Sequence, residues 1–120
     1  VPGVTAIHCQ TVPGRYVHMT DTEKDQARRD YTAYLLELLE RGKAADLLVL
    51  DEVISALNRG IVPMEPVAAY LKAWGGEKEI VLTGRNPAQT LVDLADYVTE
   101  MRKEKHPFDQ GVRARKGIEY

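Results

Sequence analysis

Two places in the 120-residue sequence carry residue types at spacings that could do chemistry. The first is Asp51-Glu52, directly after the unbroken apolar run Leu47-Leu48-Val49-Leu50. A run this short, apolar at each position, fits a strand covered on both faces, as in a parallel sheet under helices. Ligands of open α/β sheets sit outside the carboxyl ends of the strands, so acids delivered there face a site. Hard carboxylate oxygens at such a place can hold Mg²⁺ against phosphates. Equally, Asp51 can be the N-cap of a helix beginning at Glu52. Neighbouring side chains on a strand point to opposite faces, so one acid could cap while the other reaches the site. Spacing alone leaves both roles open. The second place is Thr83-Gly84-Arg85, after Glu79-Ile80-Val81-Leu82 and before a helix start. A helix N-terminus offers N–H groups, Gly84 allows close backbone approach, and Arg85 adds a forked cation, together suited to a phosphate-like anion. An ordinary strand–turn–helix with a surface arginine fits the same residues.

Other chemistries find little support. His8 and Cys9 alternate faces on a predicted strand, and His18 and His106 stand far apart in irregular stretches. No Cys or His pair has zinc spacing. The sequence has no Gly-x-Ser-x-Gly elbow, and no His, Cys and Asp can be placed together for nucleophilic catalysis. Tyr31, Tyr34 and Trp74 fall on apolar helix faces and read as core.

The elements that must position the two places follow from periodicity. Val4 to Gln10 reads as a first strand, and Pro13-Gly14 as a turn before an exposed stretch from Arg15 to Met19. Thr20 and Glu23 have capping-box spacing. Ala27, Tyr31, Tyr34, Leu35, Leu38 and Leu39 then recur at helical spacing to about Arg41, with Gly42 as the stop. Strand Leu47 to Leu50 leads into a helix from Glu52 to Arg59 that ends at Gly60. Pro63 to Pro66 open a helix that runs through Trp74 to Gly75-Gly76. Strand Glu79 to Leu82 follows. Asn86 as cap, Pro87 in first position and Gln89 three residues on predict the next helix, with Ala88, Leu91, Val92 and Ala95 on one face. Tyr97 to Met101 alternates and reads as a fourth strand; Lys105 to Tyr120 reads as irregular. Strands alternating with helices across residues 1–120 predict one α/β domain with a mainly parallel sheet, small for its class.

Composition sets bounds. Apolar residues make up 44% and charged residues 28%, ordinary for a soluble globular chain. A net charge of −2 lacks the basic surplus of a nucleic-acid module. The single Cys9 cannot form an internal disulfide, and a reducing compartment such as the cytoplasm is expected. No apolar stretch approaches a membrane span. The sequence opens with Val1-Pro2-Gly3 rather than Met, which suggests a trimmed or partial polypeptide.

Leu48-Val49-Leu50-Asp51-Glu52, Ala56-Leu57, Gly60 and Thr83-Gly84-Arg85 also follow one family's order and spacing. So do Leu94-Ala95-Asp96, Val98-Thr99-Glu100-Met101, Lys105-His106-Pro107-Phe108, Gly111 and Gly117-Ile118-Glu119-Tyr120. From about Thr20 onward the chain resembles the ATP:corrinoid adenosyltransferases of the CobA/BtuR type, also called cob(I)yrinic acid a,c-diamide adenosyltransferases. The resemblance implies a P-loop NTPase-like (RecA-like) α/β fold, incomplete here on its N-terminal side. It also implies a homodimer, MgATP and a reduced corrinoid as substrates, and an electron-donating flavoprotein as a candidate partner. Transfer of the 5′-deoxyadenosyl group to Co(I), with release of triphosphate, needs no activated side chain, so no catalytic nucleophile or base is assigned. Under this resemblance Asp51 and Glu52 bind Mg²⁺, and Thr83, Gly84 and Arg85 face phosphate or corrinoid.

Two departures stand out. The family's Gly-x-x-x-x-Gly-Lys-[Ser/Thr] loop is nowhere in this sequence, so the lysine and the Mg²⁺-binding hydroxyl it supplies are missing too. The family also sets a Phe-x-Trp pair under the corrin, where this chain has Arg15-Tyr16-Val17-His18; Tyr16 and His18 are the candidate replacements. The expectation is therefore a chain inactive by itself, with a sheet face or edge left uncovered. A non-catalytic binding module and a fragment of another P-loop ATPase are the alternatives.

Overall fold

The computed structural model describes residues 1–9 and 16–118. A 3₁₀ turn at Tyr16–His18 precedes α1 (Asp21–Gly42). β1 (Leu47–Leu50), α2 (Val53–Asn58), α3 (Met64–Trp74), β2 (Glu79–Leu82) and α4 (Gln89–Leu94) follow, with a second 3₁₀ turn at Pro107–Gln110. β1 and β2 pair in parallel, with Leu47 opposite Glu79, Leu48 opposite Ile80, Val49 opposite Val81 and Leu50 opposite Leu82. A parallel pair needs a crossover connection, and α2 with α3 provides it.

The start of α1 is the predicted capping box. Glu23 N–H donates to Thr20 Oγ1 at 3.3 Å, and Thr20 N–H donates to Glu23 Oε2 at 2.7 Å. The backbone bond and then the hydroxyl of Thr20 hold the Glu23 carboxyl below its ordinary pKa. The other end of α1 is closed from a distance. Lys78 Nζ donates to the carbonyls of Gly42, Lys43 and Ala45 at 2.6, 2.7 and 3.0 Å. Gly42 and Lys43 stand at the helix end, whose last carbonyls have no intrahelical partner, and Ala45 follows just beyond it. The ammonium also lies 4.9 Å from the Trp74 ring centre, and Trp74 stacks on Tyr70. Gly42 is not the left-handed stop that its position suggested, since it belongs to the helix and lacks a positive φ. A Cβ there would sit 2.9 Å from Leu48 Cδ2 and 3.1 Å from Tyr70 Oη, so this glycine serves close packing. Gly60 does act as a left-handed stop, at φ 64°. Its N–H donates to Leu57 O while Ile61 N–H donates to Ala56 O, the two bonds of a Schellman end.

The core lies on one face of the sheet. Leu48, Leu50, Ile80 and Leu82 point into a cluster of Leu35 and Leu39 from α1, Val53 and Ile54 from α2, Val67 and Tyr70 from α3, and Leu91 from α4. Ile61 and Val62, between α2 and α3, complete it. The other face carries Leu47, Val49 and Val81, which remain 54%, 51% and 43% exposed. The expectation of cover on both faces therefore fails for this chain: burial along β1 and β2 alternates. The uncovered sheet face expected from the missing loop is present.

Three further expectations are corrected. Within Val4 to Gln10, residues 4–9 form no strand (Gln10 lies outside the described residues), and Val4 is largely exposed. The stretch is tethered by Tyr34 Oη, which donates to Ile7 O at 2.8 Å, rather than by a ladder. Tyr97 to Met101 is not a strand either, and Tyr97 and Met101 are almost fully exposed. Its β-forming residues pair with neither open edge of the β1–β2 sheet, and that propensity is mostly a record of packing. The sheet accordingly has two strands among the described residues rather than four. Finally, the last helix starts at Gln89 with Ala88 as cap, not at Asn86, which adopts a left-handed φ of 53°. Asn58 Nδ2 donates to the carbonyls of Arg85 and Asn86, both at 2.9 Å, and so holds that turn open. Pro13-Gly14 and the final Glu119-Tyr120 lie outside the described residues.

In the tail, irregular as expected apart from one turn, Phe108 N–H donates to His106 Nδ1 at 3.1 Å and Lys103 pairs with Asp109 at 2.7 Å. Among the described residues no helix is long and apolar enough to cross a membrane.

Two outcomes test this packing. Lys78→Met keeps the stem over Trp74 but withdraws three charge-assisted hydrogen bonds, and urea unfolding is expected to show a loss of about 1–3 kcal/mol. Burial raises the Tyr70 hydroxyl above its ordinary pKa. The unfolded chain then releases this proton first, so stability is unaffected below about pH 10 and falls as pH rises through the folded value. Tyr70→Phe is expected to reduce that alkaline loss in urea titrations run upward from about pH 9, with Tyr31 and Tyr34, also raised by burial, carrying the remainder.

Candidate functional site

Parallel pairing in register places the carboxyl ends of β1 and β2 side by side. Thr83 follows Leu82, and its N–H continues the ladder by donating to Leu50 O at 3.2 Å. Its side chain thereby meets the acids that follow Leu50. Thr83 Oγ1 donates to Asp51 Oδ1 at 2.8 Å and accepts from the Glu52 N–H at 2.8 Å. Its carbonyl accepts from Ile54 N–H at 3.2 Å, so the residue after β2 touches two positions of the β1–α2 turn and one in the first turn of α2.

Glu52 takes the N-cap position of α2 in a left-handed conformation, φ 55° and ψ 17°. The cap reading of Asp51 therefore falls: Asp51 lies one residue earlier, and Thr83 engages its carboxylate. Nor does the Glu52 side chain cap the helix backbone. Its Oε2 instead accepts from Ser55 Oγ at 2.5 Å, one turn into α2. Both acids are exposed, and among the described residues no group of three or more His, Cys, Asp and Glu could hold a metal. A pair of carboxylates with spare lone pairs fits Mg²⁺ better than most metals. That ion is commonly held by one or two carboxylates, with water and substrate phosphates filling the remaining positions.

Gly84 has φ 142°. A Cβ there would lie 2.6 Å from Ile54 Cβ and 3.1 Å from Ser55 N, so the absent side chain is already used by the start of α2. Arg85 is exposed on the turn that Asn58 holds. Tyr16 and His18 lie on a different element, ahead of α1. Tyr16 packs against the core, with Lys24 Nζ 5.9 Å and Arg28 Cζ 6.0 Å from its ring centre, while His18 is exposed. The structure thus joins Asp51, Glu52 and Thr83, and keeps Gly84 and Arg85 next to them along the chain. Sequence reasoning missed Ser55 and Asn58. The helical spacing of Glu52 and Ser55 could have pointed to the first, but the second spans 27 and 28 residues to its partners and left no local signal. Gly84→Ala is expected to destabilise the chain by about 2–5 kcal/mol, from overpacking against Ile54 together with backbone strain, measured by thermal or urea unfolding.

Comparison with known proteins follows the same outline. The family described as ATP:corrinoid adenosyltransferase BtuR/CobO/CobP matches residues 3–120. The corrinoid adenosyltransferase CobA of Salmonella typhimurium is 36% identical over 105 residues, which cover 82% of this chain and 54% of that protein. The corrinoid adenosyltransferases of Pseudomonas aeruginosa and Escherichia coli K12 are each 33% identical, over 100 and 101 residues. These matches cover 83% and 79% of this chain, against 49% and 52% of the relatives. The chain spans about half the length of the curated relatives it matches. With a family match over nearly its whole length, the chain belongs to the BtuR/CobO/CobP family of ATP:corrinoid adenosyltransferases.

Proposed function

We propose that this chain provides the acid half of a corrinoid adenosyltransferase site, within a P-loop, RecA-like fold. The observation that carries the reading is the junction of Asp51 and Glu52 with Thr83 at the carboxyl ends of a parallel strand pair. Family membership supplies the chemistry that this junction would serve.

In the proposed reaction the lone pair of a Co(I) corrinoid attacks C5′ of ATP. A cobalt–carbon bond forms, the C5′–O bond breaks, and triphosphate leaves with the bonding electrons as cobalt passes from Co(I) to Co(III). The metal is its own nucleophile, so the protein's tasks are alignment and neutralisation of the departing charge. Asp51 and Glu52 would hold Mg²⁺, whose role when bound is to neutralise phosphate charge. Arg85, beside Thr83 and Gly84, would face the triphosphate or the corrinoid, and Tyr16 and His18 are the candidate corrin contacts. The working protein is a cytoplasmic homodimer served by a reducing flavoprotein.

By itself the chain does not turn over in this reading. It has no Gly-x-x-x-x-Gly-Lys-[Ser/Thr] loop, and such a loop supplies most of the groups that meet a triphosphate. The coding sequence upstream of Val1 is expected to contain one. Expressed with it, the protein is expected to form adenosylcorrinoid from MgATP and reduced cobalamin, followed spectrophotometrically, with Glu52→Gln lowering the rate on the order of 10²-fold. Turnover by the 120-residue chain alone would overturn the half-site reading. A start codon beside Val1 with no loop upstream, and no product, would leave a non-catalytic binding module.

A further inference from the structure

We infer that Thr83 is a positioning residue for the acid pair: its one hydroxyl sets both Asp51 and Glu52 for a divalent cation. The inference rests on the reading of those acids as the Mg²⁺-holding carboxylates. It concerns how they are held.

A threonine hydroxyl has one proton and two acceptor lone pairs. Here the Glu52 N–H occupies the acceptor side at 2.8 Å, and the proton is committed to Asp51 Oδ1 at 2.8 Å. The two acids are thus tied to one oxygen, through the side chain of one and the backbone of the other. That oxygen is itself fixed by the strand. Thr83 N–H bonds Leu50 O and Thr83 O accepts from Ile54 N–H, so β1, β2 and the first turn of α2 all constrain its position. The arrangement holds Glu52 at φ 55°, in the left-handed region that a non-glycine residue seldom adopts. The left-handed turn lets the chain leave β1 and enter α2 with only Asp51 and Glu52 between them, and Glu52 Oε2 lies 2.5 Å from Ser55 Oγ. Gly84 secures the same geometry from the other side, because the β2 turn can approach Ile54 only without a side chain. Groups that orient carboxylate ligands from behind typically change metal affinity by about 10–100-fold when lost.

The test uses Thr83→Val, of the same shape without the hydroxyl, and Thr83→Ser, which keeps it. Mn²⁺ alone is titrated into the chain, with free Mn²⁺ read by electron paramagnetic resonance, and amide hydrogen exchange at Glu52 is followed in parallel. Thr83→Val is expected to weaken Mn²⁺ binding about 10-fold or more and to speed exchange at Glu52, while Thr83→Ser stays within about threefold of the wild-type affinity. A melting temperature close to wild type shows that Thr83→Val has folded; should it not fold, Thr83→Ala takes its place. Asp51→Asn and Glu52→Gln separate the two claims. If they weaken Mn²⁺ binding while Thr83→Val leaves it unchanged, the positioning role is overturned and the acid site stands. If they do not weaken it, or if the wild-type chain shows no saturable Mn²⁺ binding, the acid site falls and the positioning role with it.

Discussion

Four rungs of parallel pairing between β1 and β2 are the constraint on which the rest of the molecule depends. Register puts Leu50 opposite Leu82, and the residues that follow must then meet: Asp51 and Glu52 on one strand end, Thr83 and Gly84 on the other. A slip of either strand by one residue would turn that strand's inward pair, Leu48 and Leu50 or Ile80 and Leu82, outward and separate the hydroxyl from the carboxylates. The same register brings Glu79 N–H to Asp46 O and places Lys78 under the end of α1, where it closes three carbonyls. Core, helix end and candidate site are thus set by one alignment.

That alignment is supported from one side only. Val67, 1% exposed, and Leu35, Leu50 and Leu91 fill the space between the sheet and its helices. The opposite face leaves Leu47, Val49 and Val81 open. Two strands alone are marginal, and it is packing against helices that makes such a sheet independently stable. Three neighbouring apolar side chains on the open face form a surface on which another element of an α/β sheet could lie.

What the sequence disclosed, and what it did not, divides by the range of the interaction. Capping at Thr20 and Glu23, the apolar runs of β1 and β2, and the stop at Gly60 depend on residues within one turn of each other, and all were readable. Asp51-Glu52 and Thr83 were readable as separate strand ends. Their junction was not, because the hydrogen bonds span 31 and 32 residues and follow from register rather than from local pattern. The same reason explains the failures. Asn86-Pro87-Gln89 has the local signature of a helix start, but Asn58 holds the preceding carbonyls and moves the start to Gln89. Tyr97 to Met101 has strand composition but lies on neither open edge of the sheet. Glycines were the subtlest case: Gly42 and Gly84 look like turn residues, yet both are required chiefly by what packs against their Cα.

Chemistry explains why such a small constellation could suffice. In the proposed reaction the nucleophile is reduced cobalt, which needs neither an activated hydroxyl nor a tuned base, so none would have to be built into this chain. Placement of charge is what it requires. Oxygens that must meet a cation work best when their positions are set before it arrives, since little reorganisation is then left to oppose binding. In the proposed reading Thr83 would do this with a single oxygen just past the end of β2, where Gly84 allows the chain to lie directly on α2. Placement so local can be complete in this chain even if the phosphate-binding groups come from elsewhere. In that reading the acid pair is a preset half-site, its geometry decided by strand register and its use decided by what meets it.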